Sequence, residues 1–113
     1  MKVIIAGSRD FDDYHKLTAA IAESGFDITE VVSGCAKGAD MLGERWARDR
    51  NIPVRQFIAD WQLFGKSAGP RRNDRMAEYA EALIAFPIGE SRGTRNMIQE
   101  AMARKLKVYV KEG

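Results

Sequence analysis

Five short apolar runs, rich in β-branched residues, recur along the chain with room for a helix between each pair. They occupy residues 2–7 (KVIIAG), 29–34 (TEVVSG), 54–59 (VRQFIA), 82–87 (ALIAFP) and 107–111 (KVYVK). The segments VII, VV and LIAF are continuous rather than alternating, which is typical of strands covered on both faces. Because parallel strands need long crossover connections, this spacing predicts a parallel sheet.

The segments between these runs carry apolar residues at helical spacing. Tyr14, Leu17 and Ile21 form one such stripe, and further stripes lie within residues 42–46, 76–83 and 97–102. Strands that alternate with helices and connect by right-handed crossovers form a doubly wound fold. We therefore predict a Rossmann-like three-layer α/β domain, with a five-stranded parallel sheet in the order 3-2-1-4-5 and helices on both faces.

The helix ends can also be predicted. Asp12 or Asp13 is expected to cap the first helix and Thr94 the last, and Gly25 is expected to stop the first helix. One stretch, residues 60–70 (DWQLFGKSAGP), is predicted to be irregular because it contains two glycines and a proline. It is too long for a plain turn, and its two aromatic residues argue against disorder.

Size and composition narrow the class of protein. The chain has 113 residues, which indicates a single domain over residues 1–113 with a sizeable core. Its net charge of +2 gives little support for a nucleic-acid or membrane partner. With one histidine (His15) and one cysteine (Cys35), we expect no disulfide, no metal site and no cofactor. No apolar run approaches the roughly 20 residues of a membrane span, and the N-terminus does not resemble a signal peptide, so we expect a cytoplasmic protein.

Three glycine-containing turns follow predicted strands: residues 6–10 (AGSRD), 33–40 (SGCAKGAD) and 87–94 (PIGESRGT). In a doubly wound sheet, ligands bind at the carboxyl ends of the strands. Small residues there let backbone N–H groups approach an anion, and the next helix N-terminus adds a favourable field. A single turn of this kind is explained by tight turning alone, but three at one sheet edge favour a ligand. A Walker sequence and a GxGxxG fingerprint are missing, which disfavours a P-loop ATPase and a nicotinamide dehydrogenase.

Several side chains in and near these turns suit a phosphate or a nucleoside. Arginine suits phosphate through bidentate donation. Asp40 and Asp60 suit ribose hydroxyls, although Asp40 also fits as an acid in the first turn of a helix. Trp61 fits either a stacked base or a buried aromatic, and the hydroxyl residues fit either phosphate binding or helix capping. The predicted ligand- or phosphate-binding residues are Gly7, Ser8, Arg9, Ser33, Gly34, Lys37, Gly38, Asp40, Asp60, Trp61, Arg72, Asn73, Gly89, Gly93 and Thr94.

The motifs, taken in order, resemble the SLOG superfamily of Rossmann-like domains. SGCAKGAD resembles the signature of the DNA-processing A (Smf) proteins. GPRRNDRMAEYAEALIAFPIGESRGT resembles a block of the cytokinin-activating phosphoribohydrolases (Lonely Guy). The complete order GSRDFDD, SGCAKGADMLGERWA, ADWQLFGKSAGPRRN, FPIGESRGT is most similar to the stand-alone YspA-like branch. The resemblance covers residues 3–110 and implies a nucleotide or nucleotide-derived ligand held by the glycine turns.

The resemblance to the phosphoribohydrolases also implies roles for particular residues. Arg72 falls on their catalytic arginine, and Gly93–Thr94 fall on their terminal Gly-Thr. The chain departs from them by two extra residues before Gly93 and by Asn96, which stands where they have a glutamate. An amide can neither stabilise positive charge on a ribose nor activate water, so Glu90 is the local carboxylate that could replace that glutamate.

Three functions are compatible with these residues. The leading interpretation is a module that binds a nucleotide derivative, as a sensor or to sequester it. The alternative is a phosphoribohydrolase that cleaves the N-glycosidic bond of a nucleoside monophosphate, with Arg72 and Glu90 as its candidate catalytic residues. A second alternative, a DNA-processing accessory protein, requires a broad basic surface that the net charge does not indicate. The resemblance also implies a homo-oligomer, since related SLOG proteins commonly pair through helices beside the site, and we expect a dimer through the apolar region of Met97, Ile98 and Met102.

Overall fold

The fold was obtained as a computed structural model, which describes residues 1–112. Its five strands form one parallel sheet in the order β3-β2-β1-β4-β5. The strands are β1 (Lys2–Gly7), β2 (Glu30–Ser33), β3 (Val54–Gln56), β4 (Ala82–Phe86) and β5 (Lys107–Val110). The predicted α/β class and strand order 3-2-1-4-5 are confirmed.

Five helices connect these strands. They are α1 (Tyr14–Ser24), α2 (Ala39–Asp49), α3 (Trp61–Phe64), α4 (Ala68–Tyr79) and α5 (Arg92–Ala103), with a 3-10 turn at Gly65–Ser67 between α3 and α4. The longest of them, α4 and α5, have 12 residues each. Over residues 1–112, no helix has the length and apolar character needed to cross a membrane.

Helices cover both faces of the sheet, and the central strand β1 shows why its apolar run is continuous. Val3 and Ile5 pack into one core with residues of α1 and α2. Ile4 and Ala6 point to the opposite face and pack with residues of α4 and α5. Successive side chains of a strand point to opposite faces, so a strand buried on both must be apolar at every position.

The ends of α1 confirm two sequence predictions. The Asp13 carboxylate accepts a hydrogen bond from the Lys16 amide at 2.9 Å, and Gly25 ends the helix with φ of 70°. A left-handed residue at this position is tolerated best when it is glycine. The prediction for α5 was wrong, because this helix begins at Arg92 after Ser91 and places Thr94 inside its first turn rather than at its cap.

Residues 61–70 are helical and not irregular, so the prediction for the stretch 60–70 was wrong. The Asp60 carboxylate accepts a hydrogen bond from the Leu63 amide at 3.0 Å and thereby caps α3. Pro70 is the third residue of α4. The first amides of a helix have no intrahelical acceptor, so a proline there removes no hydrogen bond. A loop-like composition is therefore compatible with two consecutive helix starts.

Candidate functional site

A cleft of about 730 Å³ opens at the carboxyl ends of the central strands. Its walls come from the turn after β1, the turn after β2, the first part of α4 and the turn leading into α5. The strand order reverses between β1 and β4, which is the position where doubly wound folds bind ligands. The volume is within the usual range for small-molecule sites.

The structure brings many of the predicted binding residues together in this cleft and places others elsewhere. Those that line the cleft are Gly7, Ser8, Arg9, Asp40, Trp61, Arg72, Asn73, Gly93 and Thr94. Those that do not line it are Ser33, Gly34, Lys37, Gly38, Asp60 and Gly89. Glu90, the proposed replacement carboxylate, also lines the cleft, as does Asn96.

Two of the glycines outside the cleft lie in close contact with other parts of the chain. A Cβ on Gly34 would lie 2.9 Å from both Nη1 of Arg72 and Oδ2 of Asp40. A Cβ on Gly38 would lie 2.2 Å from the carbonyl oxygen of Ser8, and Gly38 has φ of 82°. What lies against the backbone at these positions is therefore the protein's own charged side chains and the turn after β1.

Ser33 and Asp60 use their side chains within the fold. The Ser33 hydroxyl donates to Oε2 of Glu44 at 2.6 Å and accepts from the Cys35 amide at 3.1 Å. Asp60 caps α3.

Glu44 is a residue that the sequence analysis did not identify. This buried carboxylate accepts from the Ser33 hydroxyl and also from the Gln56 side chain at 3.1 Å. Glu44 lies in α2 while Ser33 ends β2 and Gln56 ends β3, so no local pattern identifies these contacts.

Arg72 is held at the cleft wall by two directed hydrogen bonds. Its Nη1 donates to the Gly34 carbonyl at 2.7 Å, and its Nε donates to Oδ1 of Asn73 at 3.0 Å. The remaining N–H groups of the guanidinium are left for other acceptors. Burial lowers the pKa of Arg72 from its ordinary value, while the nearby Asp40 carboxylate raises it. An arginine remains charged at neutral pH, so a fixed cation faces the cleft.

Asn73 connects this arginine to the start of α5. Its amide nitrogen donates to the Gly93 carbonyl at 3.1 Å and to Oδ1 of Asn96 at 2.8 Å. Asn73 is only 3% exposed, and these bonds use both of its amide hydrogens. Asn96 thus serves as the acceptor for Asn73 and completes a chain of hydrogen bonds from Arg72 to α5.

The N-terminus of α5 faces the cleft without a cap. Ser91 makes no capping hydrogen bond to a backbone amide and donates instead to Oγ1 of Thr94 at 2.7 Å. The first turn contains no acidic residue, and a Cβ on Gly93 would meet no atom within 4 Å. The amides of the first turn and the helix dipole are therefore available to an anion.

Asp40 is a buried carboxyl group at the cleft, and only 5% of the residue is exposed. It accepts from the Ala36 amide at 3.2 Å. Burial raises the pKa of Asp40 to about 6, opposed by the Ala36 hydrogen bond and the Arg72 charge. Oδ2 of Asp40 lies close to Nη1 of Arg72. Each atom is 2.9 Å from the place that a Cβ on Gly34 would occupy. The carboxyl group can gain or lose a proton close to neutral pH.

Comparison with known proteins identifies the family to which the chain belongs. Residues 1–64 match the family described as YspA, cpYpsA-related SLOG family. The chain is also 37% identical over 110 residues to the Gene 61 protein of Mycobacterium phage D29, in an alignment covering 88% of this chain and 87% of that protein. The chain belongs to this SLOG family. The resemblance to the YspA-like branch is thereby confirmed.

A solved structure supports the fold of this SLOG domain. This chain superimposes on the X-ray structure of DNA processing protein A (DprA) from Streptococcus pneumoniae with a TM-score of 0.78 over 96% of its length. The sequences are 19% identical, so the likeness concerns the fold alone. The domain spans about half of that protein, 49% of its chain.

The charged and aromatic groups of the SLOG cleft complete the site. Trp61 is 51% exposed at the rim, and its ring lies against Gly69, whose Cβ would come within 3.2 Å of it. The alternative that Trp61 is a buried core aromatic is thus ruled out. No group of three His, Cys, Asp or Glu side chains within residues 1–112 is arranged to hold a metal ion. The charged residues that line the cleft are Arg9, Asp10, Asp40, Lys66, Arg72, Glu90 and Arg92.

Proposed function

We propose that this SLOG domain binds a nucleotide or nucleotide-derived ligand in the cleft, as a sensor or to sequester it. The observation that carries this proposal is the meeting of two anion-binding features in one space. The uncapped N-terminus of α5 and the guanidinium of Arg72 both face the cleft. Backbone amides at a helix start and a fixed arginine are both suited to phosphate.

Other groups of the cleft suit the nucleoside part of such a ligand. Trp61 offers an exposed ring at the rim, on which a base can stack. Asp40 lies inside the cleft and can accept hydrogen bonds from ribose hydroxyls. An exposed ring, a buried carboxyl group and a free helix N-terminus in one cleft support a ligand that combines an aromatic base, a ribose and a phosphate.

The proposal is tested by the dependence of binding on the phosphate. Thermal shift and calorimetry are carried out with AMP, ADP-ribose and adenosine. A ligand that binds the folded state raises the melting temperature, so AMP or ADP-ribose should raise it and adenosine should have a much smaller effect. Equal shifts with AMP and adenosine would contradict a phosphate site, and no shift with any nucleotide of a wider panel would remove the proposal.

Hydrolysis of an N-glycosidic bond is the second candidate, favoured by the carboxyl groups of Asp40 and Glu90 in the cleft. A carboxylate stabilises the positive charge that develops on the ribose, and a group with a pKa of about 6, such as Asp40, can transfer a proton. Binding without turnover is preferred because Asn96 stands in place of the expected glutamate and accepts a hydrogen bond from Asn73. Release of adenine from AMP, abolished in Glu90→Gln or Asp40→Asn, would establish the enzyme instead.

A further inference from the structure

A second depression, of about 430 Å³, lies away from the cleft. It is lined by Lys2, Arg55, Phe57, Arg75, Glu78 and Tyr79, none of which lines the cleft. Lys2 begins β1, Arg55 lies in the edge strand β3, and Arg75 and Tyr79 belong to α4. The depression therefore lies beside the β3 edge of the sheet, on the face that α4 covers.

Three cations surround two aromatic rings in this depression. Nζ of Lys2 is 4.3 Å from the centre of the Tyr79 ring, and Cζ of Arg55 is 5.3 Å from it. Cζ of Arg55 and Cζ of Arg75 are 5.6 Å and 5.5 Å from the centre of the Phe57 ring. The two ring centres are 5.5 Å apart. The rings thus hold the cations in place by cation–π attraction, which reduces the side-chain entropy that a ligand must remove.

These cations have no carboxylate partner within the described part of the chain. Ion pairs do form elsewhere, at Arg45, Arg48, Arg95, Arg104 and Lys111. Glu78 lines the depression without pairing with any of the three cations. Nearby, the Glu30 carboxylate accepts from the Tyr79 hydroxyl, and the Glu81 carboxylate accepts from the backbone amide of Lys2. The positive charge of Lys2, Arg55 and Arg75 is therefore not neutralised by direct contacts.

The chemistry of the depression favours phosphate groups over a base. Phe57 is only 7% exposed, and Lys2 and Arg55 already lie over the Tyr79 ring, so a base would have to displace a cation to stack there. Guanidinium groups match the geometry of phosphate oxygens. The cations are distributed around two rings rather than gathered at one point, which suits several linked anionic groups better than one.

We propose that this depression binds linked phosphate groups, at a site separate from the cleft. Two sources present this chemistry: a free oligophosphate and the phosphate backbone of a single-stranded nucleic acid. The contacts to either would come from Lys2, Arg55 and Arg75. Binding through such contacts weakens as salt is added.

The test follows backbone amide resonances by NMR, with inorganic tripolyphosphate as one probe and a short oligothymidylate as the other. The site-resolved readout distinguishes this depression from the cleft. We expect tripolyphosphate to shift the amides of Arg55, Phe57 and Arg75 with saturation. In Arg55→Ala/Arg75→Ala the dissociation constant read from these shifts should increase about tenfold or more, as for lost charge-assisted hydrogen bonds.

Arg45→Ala is the matched control. Arg45 also lies over an aromatic ring, 4.0 Å from the centre of Tyr14, but Asp49 neutralises it at 3.9 Å. This variant should bind the probes as the native chain does. Arg75→Gln serves as a second variant if the double variant does not fold.

The oligothymidylate arm identifies the source. Shifts of the same amides with oligothymidylate, lost in the double variant, assign the site to a nucleic-acid backbone. Shifts with tripolyphosphate alone assign it to free oligophosphates. Shifts confined to cleft amides such as Gly93, no shift with either probe, or equal affinity in the double variant would overturn the proposal. Because these amides are read separately from those of the cleft, failure here leaves the proposed nucleotide site untouched, and the reverse also holds.

Discussion

Replacing Arg72 by alanine is the sharpest test of the cleft, because this side chain is bonded to the fold and also lines the cleft. It donates to the Gly34 carbonyl at 2.7 Å and to Asn73 at 3.0 Å. Loss of a charge-assisted contact to a phosphate should cost about 2 kcal/mol of binding free energy, which is roughly 30-fold in Kd. Calorimetry with AMP measures this loss directly.

The same substitution should affect folding. It leaves the Gly34 carbonyl and Oδ1 of Asn73 without their donor, so we expect the free energy of unfolding to decrease by about 1–3 kcal/mol. It also removes the cation that holds down the pKa of Asp40, which should rise further above about 6. Urea denaturation reports the first effect, and titration of the Asp40 carboxyl by NMR reports the second.

A neighbouring arginine provides the control for Arg72. Arg71 lies over the Phe64 ring at 4.4 Å, donates to the Ser67 hydroxyl at 3.1 Å and does not line the cleft. Arg71→Ala changes the net charge by the same amount and should leave the affinity for AMP unchanged. Arg72→Lys keeps the charge without the fork and should bind with intermediate affinity. Unchanged affinity in a folded Arg72→Ala, or an equal loss in Arg71→Ala, would refute the placement of the phosphate.

Four further predictions follow from the structure. Gly34→Ala would bring a Cβ within 2.9 Å of Arg72 and Asp40, so its unfolding free energy should fall by about 1–3 kcal/mol in urea denaturation. Gly93→Ala, with no atom within 4 Å, should be neutral or slightly stabilising. Burial raises the pKa of Asp40 from 3.8 to about 6, so the folded state binds more protons than the unfolded state between those values. The stability of the native chain relative to Asp40→Asn should therefore fall as pH rises through that window, and a flat difference would contradict the burial of the charge. Finally, Met102 is 63% exposed on α5 while Met97 is 1% exposed, so a dimer through this helix would use Met102. Light scattering should give a dimer that Met102→Glu converts to a monomer, and a monomeric native chain would remove the expectation.

The architecture could be read from the sequence because it depends on local patterns. Continuous apolar runs such as residues 82–86 reflect burial on both faces of a strand, and every residue of β4 is buried. Asp13 and Gly25 were predicted correctly because capping and left-handed termination depend on a few neighbouring residues. The alternation of strands and helices, with right-handed crossovers, predicted the strand order, and the doubly wound arrangement indicated the edge of the sheet at which to look for a site.

The roles of individual residues in the turns could not be predicted from the sequence, because they depend on contacts between distant parts of the chain. Gly34 is small because Arg72, 38 positions away, donates to its carbonyl and occupies the space beside it. Asn96 accepts from Asn73 on another helix, and the pKa of Asp40 is raised by burial that its own segment does not create. A hydrogen bond or a desolvated charge is set by whichever atoms packing brings within a few ångströms. The spacing of residues along the chain indicates which face of a helix or strand is buried, but it does not indicate which residues contact that face.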